Sequence, residues 1–119
     1  MLSLHSTIAQ AIVLYFAILG AWGLVLALRR QRELSPAFRS AMALGVVVAI
    51  VQTVVGVVLL VTVGQPRDDL HFLYGASVIL TFPLVGSYIA DKKVSRPLVY
   101  GLASLFIAGL AIRAMTTGA

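Results

Sequence analysis

Two histidines are the residues of this chain best suited to chemistry. His5 lies near the start of the first long apolar run, and His71 lies near the start of the third. A neutral imidazole is a good ligand for heme iron and for other transition metals. Because the chain has no cysteine, thiol catalysis, disulfides and thiolate metal sites are excluded, and any metal must bind to histidine, carboxylate or methionine.

The composition predicts that these histidines are carried by membrane helices. Of the 119 residues, 61% are hydrophobic and 11% are charged, and the mean hydropathy is +1.03. A soluble domain needs more charged surface than this. Four apolar stretches are long enough to cross a hydrocarbon core, which takes about 20 helical residues; they lie near residues 4–28, 40–63, 70–90 and 97–115. We therefore expect an all-α integral membrane protein with one domain, residues 1–119.

The charges of the connections predict the orientation of this domain. Seven of the nine basic residues lie in or beside the first and third connections, whereas the second, Gly64-Gln65-Pro66-Arg67-Asp68-Asp69, is net acidic. The positive-inside rule then places loops one and three in the cytoplasm and both termini outside the cell (plasma) membrane. Connections this short predict an up-down-up-down four-helix bundle. The net charge of +5 is explained by topology and anionic lipid, not by nucleic acid.

In such a bundle the two histidines lie at similar depth on diagonal helices. Two imidazoles facing each other across an apolar core have the geometry for axial ligation of a heme iron, which predicts heme b held by His5 and His71. Ala9 and Gly75 follow each histidine by four residues, so small residues lie one turn deeper on the same faces and leave room for a porphyrin. Alternatively, each histidine is a solvated cap or a headgroup contact near the membrane interface.

Arginines could complete this site. Arg67 and Arg113 are the basic residues predicted on the outer side, where they could hold the heme propionates by charge-assisted hydrogen bonds. For Arg113 the alternative is an interfacial side chain that extends its charge to the headgroups. Tyr74 and the other tyrosines are interpreted as interface anchors or packing residues.

Gln52 is the polar residue predicted deepest in the membrane. It lies 11 residues before the predicted end of the second span, or roughly 16 Å along a helix. An amide at this depth must find partners inside the bundle. It is either an interhelical hydrogen-bond staple or a polar contact to a cofactor or quinone. Gln10 has the same two interpretations.

The order of these residues resembles one four-helix half of the heme A synthase family. The resemblance covers about residues 4–80: a helix with His5 near its outer end, a basic loop, a helix with Gln52-Thr53-Val54-Val55-Gly56, an acidic loop and Leu70-His71. It implies axial ligation of a b-type heme by His5 and His71, and it maps the Gln-to-Gly segment of the family onto Gln52 and Gly56.

This chain also departs from that family. The family has a Glu three residues before its first histidine and an Arg directly after it, whereas this chain has Leu2 and Ser6. The acidic residue linked to heme oxidation is therefore missing. The chain contains one half-bundle, so a full arrangement would need two copies. The resemblance is carried over for heme binding and not for heme hydroxylation.

The sequence thus leads to two functional hypotheses. The first is a membrane b-type cytochrome-like or heme-handling protein that exchanges electrons with a quinone or with a subunit of a respiratory complex. The alternative is a cofactor-free accessory or structural subunit of a larger membrane complex. No ionisable residue lies deep within a predicted span, which disfavours a transporter or channel. Whether the protein is an enzyme is left open.

Overall fold

A computed structural model of the protein describes the backbone of residues 2–30, 33–62, 64 and 70–118, and the side chains in these ranges except those of residues 2, 70, 71, 117 and 118. This part of the chain forms four α-helices and no strands. The helices are α1 (Leu2–Leu28), α2 (Pro36–Thr62), α3 (Leu70–Ile89) and α4 (Arg96–Gly118). All four are long and apolar enough to cross a membrane, which confirms that prediction. α2 begins four residues before its predicted start near residue 40.

Serine caps determine where two helices begin. The Ser35 hydroxyl accepts a hydrogen bond from the Phe38 N–H at 3.2 Å, and the Ser95 hydroxyl accepts one from the Leu98 N–H at 3.4 Å. Each serine satisfies an N–H that has no partner within its helix. Pro36 follows the first cap directly, at a position where proline loses no hydrogen bond. Thus the cap and Pro36 start α2, and the helix begins before the apolar run does.

The helices form a closed cycle in chain order. α1 packs against α2 and α4, and α3 packs against α4 and more sparsely against α2. In the described residues no Cα atom of α1 lies within 8 Å of α3, and none of α2 lies within 8 Å of α4, so each of these pairs is diagonal and can meet only through side chains. Neighbours run antiparallel: Trp22 meets Phe38 at one end of the α1–α2 pair, and His5 meets Gly56 at the other.

We name the two ends of the bundle by what they carry. The basic end holds the connections between α1 and α2 and between α3 and α4, residues 29–35 and 90–95. The terminal end is where α1 and α3 start and α2 and α4 finish. At the basic end Glu33 pairs with Arg96 at 3.6 Å, and the Arg96 guanidinium donates to the Ile89 and Ala90 carbonyls at 3.5 and 3.4 Å. This arginine joins the two connections and caps the end of α3.

The α1–α4 pair is the tightest contact in the bundle. A Cβ at Gly23 would lie 2.7 Å from both the Gly101 Cα and the Pro97 carbonyl oxygen, and a Cβ at Gly20 would lie 2.9 Å from the Gly101 carbonyl oxygen. Glycine lets the two backbones meet at this distance, as small residues do between membrane helices. This glycine seam, Gly20, Gly23 and Gly101, fixes α1 against α4.

Aromatic rings fill the interior from the basic end to the middle. Phe16 and Phe38 are fully buried. Trp22 packs edge-on against Phe38 with ring centroids 5.2 Å apart, and Phe82 lies 5.9 Å from Phe16 and 5.6 Å from Tyr100. Edge-on and tilted rings gain energy from the ring quadrupole as well as from contact. This aromatic core leaves the terminal end of the bundle for the polar residues.

Candidate functional site

His5 lies on the first turns of α1 and faces α2. Its side chain is half-buried. The ring Cε1 is 3.3 Å from the position that a Cβ would take on Gly56, and Nδ1 is 4.0 Å from it. The imidazole therefore rests against a stretch of α2 backbone that has no side chain. A larger residue at position 56 would occupy part of the volume beside the ring.

Gln52 joins α2 to the backbone of α1 at the same place. Its Nε2 donates a hydrogen bond to the His5 carbonyl oxygen at 2.8 Å. The bond links residues 47 positions apart in sequence, so it fixes the first turn of α1 against the middle of α2. The nitrogen half of the Gln52 amide is therefore an interhelical hydrogen-bond staple, which is one of the two interpretations made from the sequence.

The other half of the same amide has no partner. Gln52 Oε1 is buried, and it accepts no hydrogen bond from the described residues. Its orientation follows from the partner of the nitrogen, because a carbonyl oxygen only accepts hydrogen bonds and the amide must turn its NH₂ group toward it. A buried acceptor left without a donor costs about 1–3 kcal/mol. This oxygen is therefore a polar atom that a ligand with a hydrogen-bond donor would satisfy.

Glycines occupy two positions at this end of the bundle. Gly56 follows Gln52 by one helical turn on α2. Gly75 is half-buried on α3, and a Cβ added there would meet no atom within 4 Å. α2 and α3 also pack more sparsely than any other neighbouring pair. The structure thus brings together His5, Gln52 and Gly56, and it leaves open space at Gly75 on the diagonal helix.

Two of the predicted residues cannot be placed. The backbone of His71 belongs to the first turn of α3, but its side chain lies outside the described residues, and Arg67 lies outside them altogether. The described residues contain no cluster of three or more histidine or carboxylate side chains suited to a metal. A pair of histidines would not form such a cluster, so axial ligation by His5 and His71 stays a prediction.

Arg113 lies at the terminal end on α4. Its guanidinium carbon is 5.8 Å from the centre of the Tyr74 ring on α3, and its side chain is exposed. An arginine over an aromatic face is attracted by the ring quadrupole. Tyr74 thus holds Arg113 at the mouth of the α3–α4 pair. The sequence interpretation of Tyr74 as an anchor or packing residue missed this contact, which the antiparallel register of α3 and α4 would have suggested.

Gln10 is placed differently from Gln52. It is exposed on α1 and lines a shallow groove toward α4 with Val13, Ile112, Met115 and Thr116. The two glutamines, which had the same two interpretations, are therefore separated by the fold. Gln10 provides a matched control for Gln52.

Comparisons with known proteins do not add to this geometry. A scan against protein-family models, a search of the curated proteins and a search of the solved structures each gave no match. The functional argument therefore depends on the residues themselves.

Proposed function

We propose that this chain is a membrane-embedded heme-binding protein, similar to b-type cytochromes, in which His5 and His71 are the axial ligands. It crosses the cell membrane four times, with the basic end in the cytoplasm and the terminal end outside. The observation that carries the proposal is the half-buried His5 imidazole, which rests against the bare backbone of Gly56. A half-buried imidazole on an inward face of an apolar bundle suits axial ligation of a heme iron.

The residues present fit such a group in three respects. Glycine at position 56 lets the imidazole lie against the α2 backbone, where a Cβ would be 3.3 Å from the ring, and position 75 is open. α1 and α3, which carry the two histidines, are diagonal helices, so two inward side chains would approach from opposite sides. Arg113 is at the same end and supplies a cation for propionate groups. Heme b would supply a reversible one-electron couple when bound.

In this proposal the residues around the heme have separate roles. Gln52 holds the His5 backbone by its hydrogen bond at 2.8 Å, so the imidazole starts from a fixed point on α1. Gly56 and Gly75 keep the adjacent faces free of side chains. Tyr74 orients Arg113 by lying beneath its guanidinium. The apolar helices around them exclude water, which favours electron transfer over side reactions of the iron.

An absorption spectrum tests this proposal. Protein expressed with ample heme and purified in detergent should show a Soret band and, after dithionite reduction, the sharp bands of a low-spin heme. His5→Ala and His71→Ala should each abolish the low-spin spectrum, whereas Ser6→Ala, a change at the exposed neighbour of His5, should leave it intact. Folded wild-type protein that takes up no heme would rule the proposal out.

The second candidate is a cofactor-free accessory subunit, and one observation favours it. α2 carries an apolar face that the described bundle leaves uncovered, with Val47, Val51, Val54, Val58 and Val61 all exposed. A partner helix in a respiratory complex, or another copy of the chain, could cover this face. Purification of the protein free of metal and inseparable from a larger complex would support this candidate over the heme protein.

A further inference from the structure

We infer that the Gln52 amide oxygen is the hydrogen-bond acceptor of a binding site for a membrane-soluble quinol, and that this site binds the reduced quinol in preference to the oxidised quinone. The inference goes beyond heme binding and holds whether or not heme is present. It starts from the two halves of one amide, which differ in their partners.

The depth of Gln52 restricts what can reach it. Gln52 lies ten residues before Thr62, the last residue of α2, which corresponds to about 15 Å along the helix. The residues next to it on the same face of α2, Ala49 and Val55, are apolar and buried. A ligand for Gln52 Oε1 must therefore dissolve in hydrocarbon and still carry a hydrogen-bond donor.

The nearby side chains that the structure describes do not supply that donor. The hydroxyl of Thr53, the adjacent residue, donates to the Ala49 carbonyl at 3.0 Å within α2. The Tyr15 hydroxyl donates across to the Ala41 carbonyl at 2.6 Å. A hydroxyl on an apolar ring needs only the one acceptor.

The amide also distinguishes the two redox forms of that ring. One N–H of its NH₂ group donates to the His5 carbonyl, and the amide atom without a partner among the described residues is the oxygen, which is an acceptor. A quinol hydroxyl donates to it, whereas a quinone carbonyl would place one acceptor against another. An acceptor left unpaired in a buried site costs about 1–3 kcal/mol, which corresponds to roughly 5- to 150-fold in affinity. The site should therefore be selective for redox state.

The test measures the binding of three related probes to the full-length protein in nanodiscs under anaerobic conditions. The probes are a decyl-substituted benzoquinol, the matching benzoquinone, and the quinol with both hydroxyls methylated. Wild-type protein should bind the quinol about fivefold or more tightly than either of the other two. Equal affinity for all three would overturn the inference, because it would show partition into an apolar surface without use of the acceptor.

Two glutamine variants test whether Gln52 is the source of the preference for quinol. Gln52→Met keeps the length of the side chain and removes the amide, so it should abolish the preference for quinol. Gln10→Met makes the same change at the exposed glutamine on α1 and should leave the preference intact. A preference that survives in Gln52→Met would overturn the inference. Both measurements are made with and without heme, so a failure to bind heme is seen separately in the absorption spectrum.

A second measurement covers the case in which Gln52→Met does not fold. The chain has four glutamines, so protein labelled with ¹³C at the glutamine Cδ gives four assignable side-chain signals. The Gln52 signal should shift when the quinol is added and should shift less with the methylated probe. If the quinol leaves the Gln52 signal unchanged, the inference is wrong.

Discussion

At the basic end, Trp22, Phe38 and the ion pair between Glu33 and Arg96 make a packed and tied structure. At the terminal end, His5 lies beside the bare backbone of Gly56, and the Gln52 oxygen has no donor among the described residues. One end of the bundle is filled by large rings, whereas the other keeps space and an unsatisfied polar atom. The comparison indicates that the basic end holds the fold and leaves the terminal end available for a ligand.

The largest effect is expected from a cavity made in the core at the basic end. Phe38→Ala should lower the free energy of unfolding by about 3 kcal/mol, because it opens a cavity under Trp22; the value is at the low end of the usual range because the unfolded helix stays in lipid and not in water. Unfolding by SDS in mixed micelles measures it. Phe106→Ala, at an exposed residue of α4, is the matched control and should change little. Equal effects would show that the packing at Phe38 does not stabilise the bundle.

The next effect tests the glycine seam. Gly23→Ala should cost about 2 kcal/mol, because its Cβ would meet the backbone of α4 at 2.7 Å and the two helices must separate. Alanine is the better helix former, so a loss of stability reports the contact and not the propensity. Gly109→Ala, where a Cβ meets no atom within 4 Å, should be neutral or slightly stabilising. If both variants are neutral, α1 and α4 are not packed as described.

A smaller effect is expected at the open end, where the change is local. Gly56→Ala should lower stability by less than about 1 kcal/mol, but its Cβ would lie 3.3 Å from the His5 Cε1 and should move the NMR signal of that ring proton. Gly75→Ala adds the same methyl group where nothing lies within 4 Å. This control should leave the His5 signal in place. Identical spectra for both variants would contradict the contact between Gly56 and His5.

The smallest effect is expected from the surface charges of the basic end. Glu33→Gln removes the partner of Arg96, and because the Glu33 side chain is 78% exposed, the loss should be below about 0.5 kcal/mol and should disappear in about 1 M salt. Asp91→Asn removes a charge at the same end that forms no ion pair among the described residues; it is the control. A loss of more than about 1 kcal/mol for Glu33→Gln alone would show that the pair is shielded from solvent.

The helices could be predicted from sequence because each apolar run is bounded by charged residues, proline or glycine. The predicted start of α2 is about a turn later than the observed one. The run of apolar residues begins after Arg39, whereas the Ser35 cap and Pro36 start the helix earlier. The diagonal position of α1 and α3 also followed from short connections. The sequence pattern could not predict how unevenly the helices pack. A glycine seam lies on one side of α1, and the contact between α2 and α3 is sparse.

The residues of the candidate site could be predicted from the sequence, but their hydrogen bonds could not. His5, Gln52 and Gly56 could be selected because polar or missing side chains in an apolar helix need an explanation. Sequence could not show that the Gln52 nitrogen binds a backbone carbonyl, since that depends on the rotation of α1 against α2. For the same reason Gln10 and Gln52 could not be distinguished until the fold placed one on the surface and the other inside.

The glycine seam also has a consequence for biogenesis. The first helix has its closest partner in the last one, and residues 29–95 separate them, a stretch of 67 residues. At about 5–20 residues per second, the ribosome needs roughly 3 to 13 s to synthesise this stretch. During that interval α1 has α2 beside it while its glycine face has no helix packed against it. We expect newly inserted chains to remain loosely assembled until α4 arrives.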